Sequence, residues 1–225
     1  MSAGVSLPPS LSPLDGVLKR AGAHMTERQG WLVAADFGSL ASEMAVCRAA
    51  AGLADVSSIG KFEIRGREHA IAELHPSCRS LSAQRAVRAG DAWWCPVSPT
   101  LLLVLAAPSA AAKVRAELEE KMAVDGLELV DVTAERVAVC LMGPAAAQVL
   151  MRAGATALQE GMIRAESVAG IPTLVLHQDE RRWLLVAPAE DAVELWNALS
   201  DAGAPLGLAH VGADALQHLL AAGGR

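Results

Sequence analysis

The chain contains no tyrosine and only two phenylalanines and five tryptophans among 225 residues. Aromatic platforms on which nucleic-acid bases could stack are therefore scarce. No run or stripe of lysine and arginine offsets this, and the formal net charge is −6. Nucleic acid is accordingly not expected as a partner. Cysteine is sparse too: Cys47, Cys78, Cys95 and Cys140 lie far apart with no C-x-x-C pair, so neither a zinc site nor a redox motif is indicated. They read as reduced thiols, mostly in the core, of a cytoplasmic protein. Long hydrophobic runs are missing as well. The longest, Leu101 to Ala107, is far too short to span a bilayer and reads as a buried strand. Residues 1–13 are rich in Ser and Pro and lack the basic and apolar regions of a secretory signal, so no membrane or export is expected.

What is present is alanine and aliphatic residues: 52% of the chain is hydrophobic and 20% charged. The length suits one large domain or two small, tightly joined ones, with enough core to fold without disulfides or metal. Two readings of the apolar excess stand. It is alanine in helices, which composition favours, or it is a face buried against another subunit.

The pattern along the chain alternates helices and short strands. Residues 1–12 read as a loose arm. Ser12 as a cap and Pro13 at the first position predict a helix over 13–25. Trp31 to Ala35 reads as extended, and Ser39 to Leu53 carries helical periodicity. Lys61 to Arg65 alternates, putting Phe62 and Ile64 on one face of a strand. A helix over 67–75 is stopped by Pro76. Trp93–Val97 and Leu101–Ala106 read as strands joined by Ser98-Pro99. Ser109 to Ala123 reads as an amphipathic helix with Ser109 as its cap, and Leu127–Thr133 as a strand. A second round follows: a strand over 137–142, a helix opened by Gly143-Pro144, strands over 163–168, 172–177 and 182–187, and helices over 190–202 and 212–222. The shared order predicts two related α+β halves, about 13–133 and 134–225, each an antiparallel sheet backed by helices.

The segment Ala51-Gly-Leu-Ala-Asp-Val-Ser-Ser-Ile-Gly60 with the helix before it resembles the opening of the aminomethyltransferase (glycine cleavage T-protein) family. Further segments follow in the family's order. These are Ser12-Pro13-Leu14 with Gly30-Trp31, Leu141-Met142-Gly143-Pro144, Val186-Ala187-Pro188-Ala189-Glu190 with Leu195-Trp196, and Gly207-Leu208 with Asp214-Ala215-Leu216. The resemblance implies a folate-binding α+β body built from two related units, tetrahydrofolate as cofactor, and one-carbon chemistry. It implies that Val56, Ser57 and Ile59 line the floor of the folate cavity, and that Glu180 and Trp183 sit where a pterin-binding strand carries a carboxylate and an aromatic ring. The family's C-terminal β-barrel is not expected, because the chain reaches Arg225 where it would begin.

Several family features are altered. The Gly-Gly-x-x-Asp-Asp hairpin that supplies a carboxylate for acid–base work has no counterpart after Cys95 and reads as deleted; nearby Asp91 reads as a turn residue. The second pterin carboxylate falls on Leu184, which cannot pair with a pterin's amino edge. The family arginine falls on Ala213 or Val211, leaving His210 as the nearest substitute, and the family's stacking tyrosines are missing. No metal site is expected from His69, His75 and Cys78, since His69 and His75, six apart on a helix, do not share one face. Arg152, Arg164, Arg181 and Arg182 read as scattered surface cations. The catalytic residues are not identified. Two functions fit. One is a non-catalytic accessory subunit resembling the small subunits of sarcosine-oxidase-like complexes, partnered by a flavin- or folate-linked amine oxidoreductase or by itself. The other is a folate-dependent one-carbon transferase with a remodelled pocket.

Overall fold

The computed structural model describes residues 8–74, 84–122 and 126–223. In chain order these form β1 (Ser10–Leu11), α1 (Asp15–Arg20), β2 (His24–Arg28), β3 (Trp31–Asp36), α2 (Leu40–Ala49), β4 (Ala51–Asp55), β5 (Gly60–Gly66) and α3 (Glu68–Leu74). Then come β6 (Val87–Ala89), β7 (Ala92–Ser98), β8 (Leu101–Ala106), α4 (Ala111–Lys121), β9 (Leu127–Asp131) and β10 (Arg136–Met142). The remainder is α5 (Ala146–Arg152), β11 (Ile163–Val168), β12 (Ile171–Asp179), β13 (Arg182–Pro188), α6 (Ala192–Gly203), β14 (Leu208–His210) and α7 (Ala213–Gly223). The chain is thus α+β, as its alternating pattern predicts.

Two sheets dominate. One has the order β6-β7-β8-β5-β9 and the other β11-β12-β13-β10-β4-β14. Strand alternation gives each sheet two apolar faces. On the first sheet Phe62, Ile64, Leu102 and Val104 pack against Ile71 and Leu74 of α3 and Val114 and Leu118 of α4. On the second, Val137, Val139, Leu141 and Leu185 pack against Val149 of α5 and Leu195, Trp196 and Leu199 of α6. The opposite faces meet each other through Cys95, Leu103 and Leu105 from one sheet and Ala138, Leu176, Leu184 and Val186 from the other. Strands covered on both sides read as continuous apolar runs, which accounts for Leu101–Ala106 and for much of the apolar composition.

Several sequence expectations are corrected. The helix expected over 13–25 stops at Arg20. Gly22 (φ +87°) takes the left-handed position, Ala23 N–H returns to the Leu18 carbonyl at 3.0 Å and Gly22 N–H to that of Lys19 at 3.1 Å, a Schellman closure. Met25 then pairs with Ala34 in β2–β3. The end of the expected loose arm is docked: Ser10-Leu11 pairs in parallel with Trp31-Leu32, and the Ser12 hydroxyl accepts from Leu14 N–H at 3.1 Å. The helix expected over 39–53 gives way at Ala50 to β4, which is paired on both edges, with β10 and with β14. Sheet pairing here overrides alanine's helix preference. Helix α4 starts at Ala111 with no side-chain cap, so Ser109 does not serve as one. β4, from the first half of the sequence, completes the sheet built mainly by the second. His75 and Pro76 lie outside the described residues.

The junction of α2, β4 and β10 is tight. Gly143 has φ +127°, and a Cβ there would lie 2.4 Å from the Ala50 carbonyl oxygen and 2.7 Å from that of Cys47. Gly154 (φ +89°) faces open space. Gly143→Ala is expected to destabilise the protein by roughly 3 kcal/mol or more, and Gly154→Ala by about 1 kcal/mol. Urea unfolding of the two variants beside the parent checks this order.

Candidate functional site

Residues 56–59 carry the chain from β4 in one sheet to β5 in the other, and a buried polar network fixes them. Ser57 donates its backbone N–H (3.0 Å) and its hydroxyl (2.6 Å) to Asp55 Oδ1. The same hydroxyl accepts the Ala138 N–H of β10 at 3.1 Å, and Val56 N–H bonds the Ala138 carbonyl at 2.9 Å. Lys61, wholly buried, donates its ammonium to the carbonyls of Ser57 (2.7 Å) and Ile59 (3.1 Å). Those carbonyls have no strand partner, and the lysine takes the role a sheet ladder would fill. Burial pushes the Asp55 carboxyl up; its bonds from Ser12 and Ser57 and the Lys61 charge oppose this. Burial likewise pulls Lys61 from 10.5 down to about 8, against the attraction of Asp55 and Asp131.

Above this crossover a cavity of about 1070 Å³ opens between the sheets. Val56, Ser58 and Ile59 form part of its lining, with Trp93 and Leu105 from the five-stranded sheet and Met142 and Leu184 from the six-stranded one. Small-ligand pockets run from about 300 to 1,000 Å³, so the space is at the upper end of that range. Of the six residues expected at a ligand site, Val56, Ile59 and Glu180 line this cavity. Ser57 does not: its hydroxyl is turned into the network beneath. Trp183 lies on the opposite face of β13 from Leu184, stacked on His177 at 3.7 Å and 5° within the helix-facing core. His210 is packed between Phe37 and Trp196, hydrogen-bonded through Nε2 to Ser200 at 3.0 Å, and burial lowers its pKa. One-residue alternation along a strand decides such cases, and local sequence does not reveal which face meets the cavity.

The structure also brings to the cavity residues to which the sequence assigns no site role. Trp93 pairs with Leu105 across β7–β8 and shares its cavity-facing side. Asp91, in the β6–β7 turn, lines the cavity, and its carbonyl holds Ala107 N–H at 3.0 Å. The short Ser98–Leu101 hairpin lies at the far end of β7. Asp91 is therefore a turn residue that also lines the cavity. Arg28, Arg48, Arg88, Arg181 and Arg182 line it as well. Arg152 and Arg164 are occupied elsewhere, with the Ala202 carbonyl and Thr156. Among the described residues no group of three or more His, Cys, Asp or Glu could hold a metal; His75 and Cys78 lie outside them. Cys47, Cys95 and Cys140 are buried. No helix among the described residues is long and apolar enough to cross a membrane.

The architecture is two helix-backed sheets with a cavity over an Asp-Val-Ser-Ser-Ile-Gly crossover. The chain belongs to the glycine cleavage T-protein family, its residues 14–222 matching the GCVT N-terminal domain. It is 30% identical over 223 residues to an aminomethyltransferase of Symbiobacterium thermophilum, covering 88% of this chain and 59% of that one. With an aminomethyltransferase of Geobacillus thermodenitrificans it shares 32% over 221 residues, with the same coverage. The chain thus spans about 59% of the length of these relatives. Its fold is similar to that of the glycine cleavage system aminomethyltransferase T of Bartonella henselae, with TM-score 0.78, 20% identity, and 92% of this chain and 60% of that one covered. It is also similar to a chain of the heterotetrameric sarcosine oxidase of Corynebacterium sp. U-96, with TM-score 0.62, 19% identity, and 88% and 96% covered.

The buried lysine has a measurable signature. Its folded pKa, about 8, lies below its ordinary 10.5. Below pH 8 the lysine is charged in both states and the desolvation penalty is fully present. Between pH 8 and 10.5 the unfolded chain binds a proton that the folded chain does not, so stability rises with pH. At about 1.4 kcal/mol per pKa unit the rise amounts to roughly 3 kcal/mol. Lys61→Met is expected to remove this rise, read as the difference between urea midpoints of parent and variant from pH 7 to 10.5.

Proposed function

We propose that the cavity binds a tetrahydrofolate-class cofactor and that the protein serves as an accessory subunit of a folate-linked amine-demethylating or amine-oxidising complex. The observation that carries the reading is the cavity itself. It is large enough for an elongated ligand, floored by Val56, Ser58 and Ile59, and lined by Trp93 as a stacking surface. Tetrahydrofolate, when bound, supplies the nitrogen centres that accept a one-carbon unit. The residues of this chain orient it, exclude water with Leu105, Met142 and Leu184, and present Asp91 and Glu180 as carboxylates. The accessory role is supported by the sequence after Cys95, where the acid hairpin that supplies the family's acid–base carboxylate has no counterpart. The heterotetrameric nature of the sarcosine oxidase similar in fold supports a protein partner, a flavin- or folate-linked amine oxidoreductase. A cytoplasmic setting agrees with the buried free thiols of Cys47 and Cys140.

One observation favours a second reading, a one-carbon transferase with a remodelled site: Asp91 stands at the cavity in a hairpin turn and could move a proton at the reacting nitrogen.

Calorimetric titration with tetrahydrofolate is expected to give micromolar binding, and Ile59→Trp, which fills the floor, to abolish it while the thermal midpoint stays near that of the parent. No binding by a folded parent chain rejects the folate reading. Asp91→Asn separates the two roles. A transferase loses about 10²- to 10⁴-fold in transfer of a one-carbon unit to tetrahydrofolate. An accessory subunit shows no such activity alone, and native mass spectrometry finds it in a stable complex with a flavoprotein.

A further inference from the structure

The charge on Lys61 is one that the fold keeps against its own stability. The side chain is wholly buried, and burial draws its pKa down to about 8, so the charged form is the costly one. Well-packed uncharged side chains often replace buried charges with no loss of stability. The strand itself does not depend on the charge. Lys61 N–H donates to Thr133 Oγ1 at 3.0 Å, its carbonyl accepts Val132 N–H at 2.9 Å, and β5 is paired on both edges, with β8 and β9. What the ammonium holds is the crossover, through the carbonyls of Ser57 (2.7 Å) and Ile59 (3.1 Å). Val56, Ser58 and Ile59 of that crossover line the cavity, as does Leu105, the residue opposite Lys61 on β8. Lys61 therefore stands behind the cavity floor. The charged groups facing its ammonium are Asp55 of β4 and Asp131 of β9. Glu63, next along the same face of β5, is occupied by Arg65 and Arg136, and β10 meets the crossover through Ala138.

We propose that Lys61 is the positioning residue of the cavity floor: its ammonium holds the crossover in the shape that meets the ligand, and tight binding in the cavity requires the proton it carries. The inference rests on the folate reading and names the regulation of that site, a loss of affinity as pH rises. A neutral amine still reaches the two carbonyls, but a bond without charge is roughly half as strong. Cys47 and Cys140, the thiols of the cavity wall, are pushed up by burial to about 11 and about 12, so they keep their protons while Lys61 loses its own.

Calorimetric titration of the full chain with tetrahydrofolate from pH 7 to about 9.5 tests this. Affinity is expected to fall about tenfold across the range, the difference between a charge-assisted and a neutral hydrogen bond, while the urea midpoint of the unliganded chain rises. A lysine that only supported the fold would not move the two in opposite directions. Around pH 8.5 binding is expected to take up about half a proton, read from the heats in two buffers of different ionisation enthalpy. Lys61→Met, its thermal midpoint confirming the fold, is expected to bind about tenfold more weakly than the parent at pH 7 and with a flat profile. A parent affinity that stays level over this range without proton uptake overturns the role of Lys61 and leaves the folate reading standing. The same fall in Lys61→Met overturns the assignment to this residue. Failure of the parent to bind at any pH overturns the folate reading, and this role with it.

Discussion

The protein depends on one buried contact, the Lys61 ammonium on the carbonyls of Ser57 and Ile59. The backbone must leave one sheet and enter the other within residues 56–59, and a crossover has no ladder to satisfy its polar groups. Lys61 and Ser57 supply the missing donors and acceptors, and the Ser57 hydroxyl ties the crossover to β10 through Ala138. Burying the lysine costs solvation, so the depressed Lys61 pKa and the raised Asp55 pKa are what closing the turn costs electrostatically. A buried charge held in this way is weak evidence for added stability. What it secures is position: the crossover residues form part of the lining of the cavity.

The same logic repeats at smaller scale. Glu63, on the cavity-sheet side of β5, is buried yet held by Arg65 at 2.6 Å and Arg136 at 3.1 Å, linking β5 to β10. Glu43 accepts Phe37 N–H at 2.6 Å and Gly212 N–H at 2.7 Å, fastening the start of α2 to the approach of α7. Each buried carboxylate joins segments remote in sequence, so the polar interior works as a set of ties between elements whose apolar faces would tolerate several registers. The cavity is lined from both main sheets and also from α2, β2, β3 and α7.

Much of the architecture was legible in the sequence. The alternation of Lys61–Arg65, the apolar run of Leu101–Ala106 and the three strands between residues 163 and 187 each carry their own period, and the Asp55–Gly60 motif with its ordered companions identified the family. Segments whose state is decided by distant partners were not legible. Ala51–Asp55 is a strand because β10 and β14 flank it. Met25 is in a strand because Gly22 ends the helix early and β3 lies alongside. Val56, Ile59 and Glu180 line the cavity, while Ser57, Trp183 and His210 do not. Trp183 faces the helices by strand parity, and His210 is enclosed by Phe37 and Trp196, contacts between positions as much as 173 residues apart.

By itself the sequence determined the fold class, the family and the residues of the crossover, because those follow from local periodicity and from a contiguous motif. Tertiary structure alone decided which side chains share the cavity. Asp91, Trp93 and the arginines at 48, 181 and 182 come from separate helices, strands and turns, and they meet only because the two sheets are locked face to face across four residues of turned backbone.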